Sequence, residues 1–197
     1  MDIKGDDKRM RPTLYLALET TGADPQRDEV LEIGVLDQEG RVLLDSLVCP
    51  VQHRHWIGAQ AIHGIRPADV QDAPWLDDLR PRLIELLTDA DVVVIDAAFE
   101  RDFLRVELEQ AAAVHGAMDA FAEIHGTPST PQGGYCRKPL QIAAAHVGFA
   151  WPGITHRTIH NAQAIRAIWH WLQQQDSHRA SSAMADTPVL SPPLQDT

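Results

Sequence analysis

The chain has 197 residues, 44% of them hydrophobic, and a formal net charge of −11. That length suits one domain with tails, since single domains commonly run to about 100–200 residues. The acidic balance excludes an indiscriminate nucleic-acid coat, which needs lysine and arginine to displace counterions, but leaves room for a small strand-end site.

No apolar run approaches the roughly 18 residues that span a bilayer, and the charged start lacks the apolar core of a signal peptide. Cys49 and Cys136 are too few for a disulfide framework and form no Cys-x-x-Cys zinc pair. A cytoplasmic protein with reduced thiols and no membrane contact is expected. Residues 1–11 are charged and unpatterned, as in a flexible arm; residues 12–176 carry the periodic pattern of a folded domain. From Ser177 the composition turns to Ser, Ala, Pro and Asp without periodicity, as in a disordered tail over 177–197.

Leu14 to Glu19 is a continuous apolar strand with Tyr15, Ala17 and Glu19 on one face. Val30 to Leu36 and Val42 to Val48 follow as strands joined by a Gly-ended turn. Asp72-Ala73-Pro74-Trp75 suggests a helix start with the acid as cap and Pro in the first turn, and Leu79, Leu83, Leu86 and Leu87 give that helix an apolar face. Val92 to Ile95 fits a buried central strand. Helices are expected from about Ala98 to His115, around Ala117 to His125, over Leu140 to Val147 and over Thr158 to Gln174. Three meandering strands followed by alternating helices and strands predict an α/β three-layer fold with a mixed sheet, the first three strands antiparallel and helices flanking it.

Three segments carry chemistry. The first is Ala17-Leu18-Glu19-Thr20-Thr21-Gly22, continued by Asp28-Glu29-Val30-Leu31-Glu32-Ile33-Gly34. The second is Asp96-Ala97-Ala98-Phe99-Glu100-Arg101-Asp102-Phe103-Leu104, and the third is His156-Arg157-Thr158-Ile159-His160-Asn161-Ala162. Together with Ala61-Ile62-His63-Gly64-Ile65, they resemble the motifs of the DEDDh, or DnaQ-like, 3′-to-5′ exonucleases of the ribonuclease H-like superfamily. The resemblance runs in order from Thr13 to Gln175. It implies a ribonuclease H-like fold and a site for a single-stranded DNA or RNA 3′ end. Thr20, Thr21, His63, Gly64, Ile65, Phe99 and Arg157 would touch the strand, and His156 would serve as the catalytic base. It also leaves room for a polymerase or other protein partner, or a homodimer.

The same resemblance shows what has changed. The family opens with Asp where this chain has Ala17, has Asn where Asp96 stands, Asp where Glu100 stands, and Asp where Asn161 stands. Phosphodiester hydrolysis in this manner uses two metal ions about 4 Å apart, with a His removing the proton from water. Two Mg2+ or Mn2+ ions at that distance repel by roughly 17 kcal/mol at an effective dielectric of 20, which carboxylates must cancel. Glu19 and Glu100 remain as metal-binding acids, Asn161 offers only an uncharged oxygen, and Ala17 offers nothing. A one-ion site using Glu19, Asp96 and Glu100 is the alternative to none. Four departures fit natural drift better than a single inactivating substitution. Three readings stay open: a 3′-end-binding protein with hydrolysis impaired or lost, a working exonuclease with a non-standard acid set, and a protein-interaction scaffold that no longer binds nucleic acid.

Overall fold

The structure, a computed structural model, describes residues 11–129, 134–152 and 157–185, the last six as backbone only. One five-stranded sheet organises them. Strand β1 (Thr13–Thr20) pairs antiparallel with β2 (Val30–Leu36), and β2 pairs antiparallel with β3 (Val42–Leu47). On the other side of β1 lie β4 (Asp91–Val94) and then β5 (Ala113–Gly116), both parallel to it, giving the order β3-β2-β1-β4-β5. The mixed sheet and its antiparallel opening are those expected from the apolar runs.

Period-two alternation in β1 feeds two cores. Leu14, Leu16 and Leu18 face α3 (Leu76–Leu87), burying Leu83 and Leu87 with Val92 and Val94. Tyr15 and Ala17 face the opposite layer, α6 (Ala117–His125), α7 (Leu140–His146) and α8 (Thr158–Ala185), which bury Phe121, Ala144, Ile165 and Ile168 against them. Each buried Leu, Ile or Phe contributes roughly 1.5–3 kcal/mol, so these two layers hold the sheet between them. Short helices α1 (Ile57–His63) and α2 (Pro67–Val70) cover β2 through Trp56, Ile65 and Val70, packed on Leu31. Trp56 is core: its indole N–H donates to the Ile65 carbonyl at 2.8 Å.

Several expected boundaries move. The helix expected from Ala98 to His115 is instead α4 (Ala97–Phe103), α5 (Arg105–Leu108) and the edge strand β5. Ala111 to Ala113 are good helix formers, but the chain bends at Ala111 and Ala112 and pairs with β4 from Ala113 onward, which overrides that local preference. The α3 cap is Trp75 rather than Asp72, with the Asp78 carboxylate accepting the Trp75 N–H, so Pro74 precedes the helix. Ala61 to His63 belong to α1, which ends at Gly64 in the left-handed conformation, φ 75°, that glycine adopts without steric cost. Helix α8 continues past Gln174 to Ala185. No helix among the described residues is long and apolar enough to cross a membrane.

Candidate active site

The carboxyl ends of the adjacent parallel strands β1 and β4 point to one edge of the sheet, the usual place for a site in such sheets. Glu19 lies there on β1. Strand β2 sets Glu32 opposite Glu19 and Gly34 opposite Ala17, so all four positions share the face covered by α8. Gly34 allows that cover to sit close. A Cβ at this glycine would lie 2.8 Å from the Thr158 carbonyl carbon and 2.9 Å from the Ile159 nitrogen. The first turn of α8 therefore rests directly on the sheet, and Asn161 reaches Glu19.

That meeting defines the site's electrostatics. Asn161 Nδ2 donates to Glu19 Oε1 at 3.0 Å, and Asn161 is buried. Burial first, then the neighbouring charge of Glu32, push the Glu19 carboxyl up to about 7, while the Asn161 hydrogen bond pulls it back. Glu32 is fully buried and receives the Thr158 N–H at 3.1 Å and the Arg157 guanidinium. It anchors the start of α8 to the sheet. Arg157, expected as a strand contact, is thus held on one side by Glu32 and half-exposed on the other.

The loop after β1 is set by its hydroxyls. Thr20 donates to the Gly22 carbonyl at 2.6 Å, and Thr21 donates to Asp28 while accepting the Glu29 N–H, both at 2.9 Å. His63 closes over this loop from α1. Its Nδ1 accepts the Ile65 N–H at 3.0 Å, so Nε2 carries the proton and donates to the Thr20 carbonyl at 3.2 Å. Thr20, Thr21, His63, Gly64 and Ile65 therefore come together at the end of β1.

On the β4 side, Asp96 caps α4 by accepting the Ala98 N–H at 3.0 Å. Its other oxygen is taken by Arg137, whose guanidinium also grips Asp119. Glu100, one turn later, turns back and accepts the Asp96 N–H at 3.0 Å; burial pushes its carboxyl up to about 8 against that hydrogen bond. Phe99 points along α4 to Phe103, ring centroids 4.8 Å apart. His156 lies outside the described residues.

The described residues do not fit a two-ion metal centre. Ala17 presents a fully buried methyl, Asn161 turns its amide N–H2 rather than an anionic oxygen toward Glu19, and Asp96 is committed to Ala98 and Arg137. Among the described residues, no group of three or more His, Cys, Asp or Glu is placed to hold an ion. Glu19 and Glu100 alone supply too little charge for two divalent ions.

Glu19, Asp96, Glu100 and Asn161 were expected at the site from the sequence; the role of Glu32 and the pairing of Asp96 with Arg137 and Asp119 were not. Glu32 had a signal: a charge inside an otherwise apolar strand, on the same face as Glu19. The Arg137 cluster had none, because its partners lie far apart in the chain.

No protein-family profile matches the chain. An uncharacterized exonuclease of Escherichia phage 186 is 28% identical over 162 residues, covering 74% of this chain and 80% of that protein. Exonuclease X, solved in complex with 5′ overhanging duplex DNA, superposes with a TM-score of 0.65 at 20% identity, covering 84% of this chain and 93% of that one. The nuclease domain of 3′hExo, a DEDDh family member solved with rAMP, superposes with a TM-score of 0.64 at 13% identity, covering 86% and 94%. The chain has the DnaQ-like exonuclease fold, a mixed sheet flanked by helices of the ribonuclease H-like kind.

Proposed function

We propose that this chain binds the 3′ end of a single-stranded nucleic acid and hydrolyses its terminal phosphodiester very slowly or not at all. The observation that carries this reading is the Asn161 amide donating to Glu19 beside the buried Ala17 methyl. At the edge where the family gathers four acids, two carboxylates are missing and a hydrogen bond between the chain's own side chains occupies one oxygen of Glu19. The binding half of the site is better kept. The loop of Thr20 and Thr21, clamped by His63, and the ring of Phe99 provide a shaped, partly apolar seat for a terminal nucleotide. Arg157, half-exposed, is the cation closest in sequence to Asn161 and would meet a phosphate. Related folds are held with DNA in one case and with rAMP in the other, so either sugar remains in the proposal.

The decisive experiment is release of a 3′-end label from a single strand in Mg2+ and in Mn2+, by this chain and by the double variant Ala17→Asp, Asn161→Asp. Hydrolysis by the double variant alone supports the reading. Comparable hydrolysis by the unaltered chain overturns it, and Asp96→Asn then tests whether that residue leaves Arg137 to complete the site.

A further inference from the structure

A cavity of about 410 Å³ opens beside the candidate site, between the loop after β1, the end of β3, the start of α3 and the end of α4. It is joined to the site at two points: the Phe103 ring in its wall packs at a tilt against Phe99, and Asp28 in its wall holds Thr21. Trp75 and Val51 line its mouth and remain 58% and 68% exposed, a large share for side chains of this size. Exposed apolar side chains gathered at one concave spot mark an interaction surface more often than chance exposure does.

The charge of the lining selects the occupant. It carries four carboxylates, Asp28, Glu29, Asp77 and Asp102, and no lysine, arginine or histidine. Asp28 and Glu29 spend their oxygens on Thr21, on the His53 ring and on backbone N–H groups. Asp77 and Asp102 stand exposed, Asp77 sharing Arg80 with Glu107. A phosphodiester chain would meet repulsion, since Arg80, the cation beside Asp77, is already shared with Glu107, and a second copy of a chain of net charge −11 would bring more of the same sign. An apolar side chain flanked by lysine or arginine meets complementary walls and a complementary rim.

We propose that this cavity is a protein-docking site which takes a large apolar or aromatic side chain, flanked by basic residues, from a partner polypeptide. Trp75 is the anchor, as tryptophan commonly is where a few residues carry an interface, and Asp77 and Asp102 are the rim charges. The proposal goes beyond the strand-end reading and does not depend on it.

The test is selection of a displayed random 12-residue peptide library on the full chain, followed by affinity measurements with the synthetic consensus peptide. The expected consensus has one or two large apolar residues beside Lys or Arg. Trp75→Ala should weaken the peptide about 30-fold. Asp77→Asn with Asp102→Asn should weaken it several-fold and flatten its salt dependence. Because Trp75 is mostly exposed, an unchanged unfolding midpoint is expected in Trp75→Ala, and Asp102→Lys serves as a second, rim-only variant. A consensus without basic residues, no consensus at all, or binding indifferent to both Trp75→Ala and Asp102→Lys would overturn the proposal. Loss of single-strand affinity in Trp75→Ala would reassign the cavity to nucleic acid. Unchanged strand affinity alongside lost peptide affinity separates this site from the strand-end site.

Discussion

At Asn161, one atom decides which partner the site prefers. Its Nδ2 fills an acceptor on Glu19 that would otherwise face the buried Glu32 charge and little else. Asn161→Asp exchanges that donor for a second carboxylate beside a glutamate already pushed up to about 7. Like charges at such range cannot both ionise without cost. In the presence of a chelator the variant should therefore lose about 1–3 kcal/mol of stability in denaturant unfolding. Adding Mn2+ should return part of that loss to Asn161→Asp, since an ion bound only by the folded state stabilises it by mass action, and should do nothing for the unaltered chain. An unaltered chain that gains as much from Mn2+ as the variant would show that its own acids already hold an ion.

At the scale of elements, the site depends on how closely α8 and the loop after β3 lie on the sheet. Gly34→Ala pushes a methyl into the Thr158 and Ile159 backbone, which cannot yield as a side-chain tip can. The expected loss is about 1–3 kcal/mol, read by denaturant unfolding, together with weaker oligonucleotide binding as Asn161 and Arg157 shift. The loop after β3 is tied by Glu29. Burial pushes its carboxyl up, but the His53 ring and the N–H groups of His53, Val51 and Gln52 outweigh burial and hold it below the usual value of 4.5. A depressed carboxylate contributes stability above its unfolded pKa and loses it as pH falls through its folded one. The deficit of Glu29→Gln should therefore be full near pH 7, begin to shrink below about pH 4.5 and be lost as pH falls through the lowered folded value; a deficit constant with pH would assign it to packing.

These elements also show what can be read from sequence and what cannot. Strands β1 and β2 were legible because their apolar runs and motif residues are local, and Glu19 with Asn161 followed from motif position. Strand β5 was not, because the Ala-rich run leading into Ala113 favours helix in isolation and Ala113 to Gly116 become strand only through β4, some twenty residues earlier. The reach of α8 to Ala185 was missed for the opposite reason. A Ser- and Ala-rich stretch has no hydrophobic period, yet extending an existing helix costs far less than starting one. Asp96 was expected near an ion; Arg137, 41 residues away, claims it instead, and no spacing rule foretells a pair of that kind.

For the whole molecule, the question is how a chain of net charge −11 approaches a polyanion at all. Two guanidiniums paired with acids at the candidate site are both partly spent: Arg157 on Glu32, and Arg137 on Asp96 and Asp119. Few phosphates can then be neutralised, and each neutralised phosphate on a single strand contributes about −0.7 to the slope of log affinity against log salt. A strand-end site using one to three cations should give a slope of about −0.7 to −2, whereas a groove that tracks the backbone gives a much steeper one. Arg157→Gln should remove close to one contact, moving the slope toward zero by about 0.7 and weakening binding similarly for every sequence. A slope steeper than about −4 in the unaltered chain would mean that a basic surface away from β1 and β4 carries the strand, and that the edge holding Glu19 is not where binding is decided.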